Sequence, residues 1–148
     1  MRRFVLNSEA ETRALGGRLL RALPVPAFVA LTGDLGAGKT ALIRGMGEAL
    51  GIDGVSSPTF TIVHEYDTVP RLLHFDAYRL ADADELYAIG FSDYLKQDAV
   101  VVMEWAELVG EALPAQRLDI LIEGSGDEPR TLTLSASGEA YEGAVDAL

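Results

Sequence analysis

Apolar runs with the character of strands alternate along this chain with amphipathic stretches of helical period. Ser8-Glu9-Ala10-Glu11 has the spacing of a capping box, in which serine and glutamate satisfy the open N–H groups at a helix start. It predicts a helix from about Glu9 to Ala22, closed by Pro24 and Pro26. Ala27 to Leu31 is uninterrupted apolar sequence, as in a strand buried on both faces. A glycine-rich turn follows, then a helix over Thr40 to Leu50 with Gly51 as its stop. Thr59 to Tyr66 and Leu72 to Asp76 are rich in β-branched and aromatic residues and predict strands. Asp82-Ala83-Asp84-Glu85 opens a short acidic helix, which Gly90 breaks before a second helical piece around Ser92 to Lys96. Ala99 to Met103 predicts a central strand that ends in Glu104. Leu118 to Ile122 and Thr131 to Leu134 flank a Gly-Ser-Gly-Asp turn and predict a closing hairpin. Gly138 to Leu148 reads as a weak acidic helix or a frayed tail.

This succession predicts a three-layer α/β fold with a mostly parallel central sheet and antiparallel edge strands. The 148 residues fit one domain, residues 1–148, without a linker or internal repeat. Hydrophobic residues at 49% and charged residues at 24% argue against disorder. The absence of cysteine excludes disulfides, thiolate metal sites and cysteine nucleophiles, and is compatible with a reducing compartment. Five-residue apolar runs are too short to span a bilayer, and Phe4-Val5-Leu6 is too short for a secretory signal. A cytoplasmic protein without a membrane partner is expected.

The net charge of -11 argues against direct binding of nucleic acid, whose phosphates are gripped by clustered lysine and arginine. That charge is uneven: residues 1–80 carry nine basic and eight acidic groups, residues 81–148 three basic and fifteen acidic. The acidic half is either a solvated surface or a face for a basic partner.

Gly33-Asp34-Leu35-Gly36-Ala37-Gly38-Lys39-Thr40 matches the phosphate-binding pattern G-x-x-x-x-G-K-[ST], between a predicted strand and a predicted helix as the motif requires. Glycines let successive backbone N–H groups converge on an anion at the positive end of the helix. Lys39, one of only two lysines, is placed to reach the β- and γ-phosphates of ATP, and the Thr40 hydroxyl to ligate Mg²⁺.

Hydrolysis needs in addition an acid at the end of a neighbouring strand. Asp76 and Glu104 each end an apolar strand, at the sheet edge where ligands sit in open α/β folds. Ser57-Pro58-Thr59-Phe60 lies beyond the P-loop helix, where the Thr59 hydroxyl would sense the γ-phosphate, or where a proline-fixed turn simply enters a strand. Trp105, the only tryptophan, is either a core-edge aromatic or a neighbour of the nucleotide. His64 and His74 have no third metal ligand in evident reach and read as structural.

The P-loop, Ser57-Pro58-Thr59-Phe60, His74-Phe75-Asp76-Ala77-Tyr78-Arg79 and Glu104-Trp105-Ala106-Glu107 together resemble the TsaE (YjeE) family, in order and spacing over nearly the whole chain. The resemblance implies a bacterial, weak, partner-dependent ATPase that works with TsaB and TsaD to form threonylcarbamoyladenosine beside the tRNA anticodon, touching tRNA only through the complex. It implies further that Thr40 and Glu104 hold Mg²⁺, that Asp76 serves hydrolysis, that Thr59 is a switch residue and that Trp105 lies close to the nucleotide. By the same carry-over Thr12 and Arg130 contact the nucleotide, although nothing local in the sequence singles them out. Two other readings share the P-loop: a small-molecule kinase, for which the arginine-rich lid insertion is lacking, and a module that uses ATP only to fix its conformation. A GTP-driven switch lacks its Asn-Lys-x-Asp segment.

Overall fold

Along the chain, β1 (Arg2–Leu6) leads into α1 (Glu9–Ala22), β2 (Ala27–Gly33), α2 (Lys39–Ala49), β3 (Val63–Tyr66), β4 (Arg71–Asp76), α3 (Ala83–Ala88), α4 (Phe91–Tyr94), β5 (Ala99–Glu104), a 3₁₀ helix (Ala106–Ala112), β6 (Arg117–Glu123), β7 (Arg130–Ser137) and α5 (Glu139–Asp146). The structure is a computed structural model that describes residues 1–34, 37–58 and 60–148; Leu35, Gly36 and Thr59, named above as site residues, lie outside the described residues.

The seven strands form one sheet in the order β1-β7-β6-β2-β5-β4-β3. The most apolar runs take the middle, because a central strand with helices on both faces has no solvated side. β2 lies between β5 and β6, parallel to both, and β4 continues the parallel set beyond β5. The edges are antiparallel, β3 on β4 at one side and β7 then β1 beyond β6 at the other, as the sequence predicts.

Strand alternation divides the core between the two faces. Val29, Val102 and Leu72 pack with Leu15, Leu42, Met46 and Tyr141 beneath α1, α2 and α5. Phe28, Phe75 and Met103 pack with Leu86 and Phe91 beneath α3, α4 and the 3₁₀ helix. Phe75 and Phe91 meet edge to face with centroids 5.5 Å apart, a favoured aromatic geometry. Each fully buried side chain of this size contributes about 1.5–3 kcal/mol.

Helix α2, which begins at the glycine-rich loop after β2, is fixed by close packing on α1. A Cβ on Gly45 would lie 2.0 Å from the Arg13 carbonyl oxygen, and one on Gly16 2.2 Å from that of Leu42. Only glycine permits this approach of the two backbones.

Two parts of the fold differ from the sequence reading, and a third decides between alternatives it left open. Strand β1 was not predicted; five residues give too short an alternation, and pairing with β7 supplies the order. The strand predicted over Thr59 to Tyr66 begins only at Val63, because the N–H groups of Thr61 and Ile62 both donate to the Pro58 carbonyl and Ile62 turns the chain with φ 72°. The tail is an ordered helix, α5, that buries Tyr141, Ala144 and Val145, and the Tyr141 hydroxyl accepts the Phe28 N–H at 2.8 Å. Among the described residues no helix is long and apolar enough to cross a membrane.

Candidate functional site

The parallel register brings three strand ends together. Glu104 at the end of β5 is level with Leu31 on β2 and with Asp76 at the end of β4. This carboxyl edge, together with the start of α2, the β1–α1 corner and the β6–β7 turn, surrounds a cavity of about 640 Å³. Ala37, Gly38, Lys39 and Thr40 line one wall, Glu104 and Trp105 another.

Helix α2 starts without a side-chain cap: Gly38 holds the N-cap position with φ 101°, and no side-chain hydrogen bond closes it. The first amides of a helix have no intrahelical acceptor, so this end offers N–H donors and a partial positive charge to an anion. Gly33 enters the loop with φ 147°, and a Cβ there would lie 2.4 Å from the Ile122 carbonyl oxygen, which requires glycine. The Ala37 N–H donates to the Asp34 carbonyl at 3.1 Å, closing the described part of the turn.

Lys39 is only 5% exposed. Its ammonium donates to the Gly33 carbonyl at 2.6 Å and lies 3.6 Å from the centroid of the Trp105 ring. Burial pushes this ammonium below the ordinary lysine range, opposed by the carboxylates of Glu104, Glu107, Asp76 and Asp34. A polyphosphate would give Lys39 the charged hydrogen-bond partners that make up for the hydration lost on burial. Trp105 starts the 3₁₀ helix in a left-handed conformation, φ 59°, with its ring 5.0 Å from that of Tyr78. Non-glycine residues rarely adopt this conformation, and here it turns the chain directly behind Glu104.

Both strand-end acids are buried and hydrogen-bonded. Asp76 accepts the Ser57 hydroxyl at 2.9 Å and the Tyr78 N–H at 2.9 Å, which ties the loop carrying Ser57-Pro58 to the end of β4. Glu104 is held by His74, whose Nε2 lies 2.7 Å from Oε2 of the carboxylate. His64 bonds instead to the Ser56 carbonyl at 3.1 Å.

Thr12 and Arg130, which the sequence does not single out, also line the cavity. Thr12 is buried in α1, with its hydroxyl 3.3 Å from the Ser8 carbonyl. Arg130 begins β7, donates to carbonyls of the β6–β7 turn at Glu128 and Gly126, and has its Nε 3.9 Å from where a Cβ of Gly38 would be. Gly33, Asp34 and Asp76 are not among the residues that line the cavity. Asn7 and Ser8 line it without having been predicted to. They belong to the capping corner, where the Ser8 hydroxyl accepts the Glu11 N–H at 3.1 Å and the Glu11 carboxylate accepts that of Asn7 at 2.6 Å.

The donor set suits a hard cation held jointly with a ligand. Among the described residues no group of three or more His, Asp or Glu side chains could form a complete metal cage. The Thr40 hydroxyl and the buried Glu104 carboxylate border the same cavity, a pair that would suit Mg²⁺ taking its other ligands from phosphate and water.

Comparison with known proteins gives the family. The family model described as "Threonylcarbamoyl adenosine biosynthesis protein TsaE" matches residues 6–132. The tRNA threonylcarbamoyladenosine biosynthesis protein TsaE of Bacillus subtilis is 45% identical over 135 residues, covering 89% of this chain and 84% of its own. The protein of the same name from Streptomyces coelicolor is 41% identical over 138 residues, covering 87% of this chain and 93% of its own. Among solved structures, Bacillus subtilis YdiB superposes with a TM-score of 0.81 at 37% identity, covering 98% of this chain and 91% of that one. On the match of sequence and of fold together, this chain belongs to the TsaE family of threonylcarbamoyl adenosine biosynthesis proteins.

Proposed function

We propose that the protein binds ATP with Mg²⁺ in the cavity at the start of α2 and hydrolyses it slowly, as the ATPase component that acts with TsaB and TsaD in forming threonylcarbamoyladenosine on tRNA. One observation carries this reading: an uncapped helix end, a buried ammonium, a hydroxyl and a buried carboxylate border a single cavity. The α2 amides and the loop from Gly33 to Thr40 cradle the phosphates, and Lys39 leaves the Gly33 carbonyl to meet the terminal ones. Thr40 and Glu104 hold Mg²⁺, which when bound neutralises charge developing on the phosphates. Asp76 serves hydrolysis through Ser57, whose hydroxyl it holds and which lines the cavity, as water attacks the γ-phosphorus and the bond to the β-phosphate oxygen breaks, giving ADP and phosphate. Thr59 reports the γ-phosphate through the loop that Ser57 joins to Asp76. Trp105, Thr12 and Arg130 complete the nucleotide contacts.

The acidic second half of the chain favours action through partners rather than on tRNA directly. Phosphate release, measured for the chain alone and with TsaB and TsaD, tests the proposal. Slow release that quickens in the complex is expected. Release that never exceeds the buffer rate under either condition would leave a nucleotide-binding module and reject the ATPase.

A further inference from the structure

His74 reads from the sequence as a structural histidine, yet its surroundings leave it no structural task that an apolar residue would not perform. It is 0% exposed on a sheet face shared with Leu72 and Val102, both fully buried, where leucine or valine would pack without a polar atom to satisfy. In the parallel register His74 is level with Val102 and Asp76 with Glu104. Side chains two apart along a strand share a face, so His74 lies diagonally beside Glu104. Its Nε2 is 2.7 Å from Glu104 Oε2, within the range of a charge-assisted hydrogen bond. A carboxylate that ligates a cation accepts only, so in that role of Glu104 Nε2 carries the hydrogen. The other nitrogen, Nδ1, is buried without a hydrogen-bond partner among the described residues and is the bare one of this tautomer. A buried histidine with one nitrogen unsatisfied is explained by what the other nitrogen does.

We propose that His74 is a positioning residue for Glu104: its Nε2–H holds Oε2 and fixes the carboxylate, leaving Oε1 to meet the nucleotide-bound divalent cation or one of its waters. This inference rests on the proposed role of Glu104. Imidazole N–H groups that orient ligating side chains act in this way elsewhere, and their loss costs about 10- to 100-fold in metal affinity or activity.

The test uses the full chain and Trp105, the sole tryptophan, as a fluorescent reporter on the cavity wall. At saturating ATP, the Mg²⁺ concentration for half-maximal fluorescence change is measured for the parent, His74→Phe, His74→Gln and Glu104→Gln, alongside ATP binding in chelator and thermal unfolding. His74→Phe, which has no donor, is expected to need about 10- to 100-fold more Mg²⁺ while binding metal-free ATP as the parent does. His74→Gln, whose amide places a donor at similar reach, is expected to stay within about threefold of the parent. An unchanged Mg²⁺ requirement in His74→Phe would overturn the inference, as would equal impairment of the Phe and Gln variants, the pattern of a packing role. If Glu104→Gln also leaves the requirement unchanged, the role of Glu104 itself falls; if Glu104→Gln raises it and His74→Phe does not, only the His74 inference falls. Nitrogen-15 NMR of histidine in the ligand-free parent needs no variant: a protonated Nε2 and a bare Nδ1 are expected, and a bare Nε2 would overturn the inference even if His74→Phe does not fold.

Discussion

Replacing Gly45 by alanine should destabilise the protein, although alanine is the better helix former by about 1 kcal/mol. The added Cβ would lie 2.0 Å from the Arg13 carbonyl oxygen and 2.6 Å from its carbon, where ordinary contact begins at 3.4 Å. Helices α1 and α2 would have to part by about 1.4 Å at that point. The obstacle is backbone, which cannot rotate aside as a long side chain can. Overpacking of a tight core costs about 1–3 kcal/mol, and a clash against backbone belongs at the upper end. Subtracting the gain in propensity leaves about 2 kcal/mol of net loss, or roughly 4–8 °C in melting temperature for a chain of this size. Gly143→Ala is the control. It is an exposed residue of α5 whose Cβ would meet nothing within 4 Å, so propensity acts alone and should raise stability by about 0.5–1 kcal/mol. Thermal and urea unfolding followed by circular dichroism measure both variants. If Gly45→Ala proves as stable as the parent while Gly143→Ala gains, then close α1–α2 packing does not fix the helix that carries the phosphate loop.

Lys39→Ala should weaken ATP binding about 100-fold in a fluorescence titration, because it removes the ammonium that serves the terminal phosphates. Glu104→Ala should keep measurable ATP binding yet lose Mg²⁺-dependent phosphate release; undiminished hydrolysis would reject its assignment. Tyr141→Phe should cost about 1 kcal/mol at neutral pH, since the Phe28 N–H loses its acceptor. Burial holds the Tyr141 hydroxyl above its usual value of 10.0, partly opposed by the Phe28 N–H, so its stabilisation is complete below about pH 10 and lost as pH rises through the folded value. Denaturation at alkaline pH should therefore depend less steeply on pH in the Phe variant. Filter binding at physiological salt should detect negligible tRNA affinity for the lone chain, given its net charge of -11.

Local signals carried the sequence reading far. The capping box at Ser8 and Glu11 sets the start of α1 at Glu9, and the apolar runs at Ala27 and Ala99 lie side by side in the sheet centre, because each signal depends only on neighbours in sequence. Glycine, lysine and threonine spacing marked the loop before α2, which lines the cavity, for the same reason. What escaped depends on partners distant along the chain. Strand β1 exists through β7, more than a hundred residues away, and α5 is a helix rather than a frayed tail through its packing with Leu132 and Leu134 and the Tyr141 bond to the Phe28 N–H. His74 looked inert because the register of β4 against β5, which places it beside Glu104, is not written in either strand. Its alternate spacing from Asp76 was the available hint: two residues apart in a strand, they share a face. Thr12 and Arg130 reach the cavity from opposite ends of the chain, and only the sheet order brings them together.

The central claim is that the cavity at the start of α2 holds Mg²⁺ and ATP, and titration calorimetry of the whole chain with ATP in magnesium buffer measures this most directly. Saturable heat at one site per chain, lost in Lys39→Ala and accompanied by a change in Trp105 fluorescence, is the predicted result. An absence of heat and of any fluorescence change at millimolar ATP from a folded protein would contradict it.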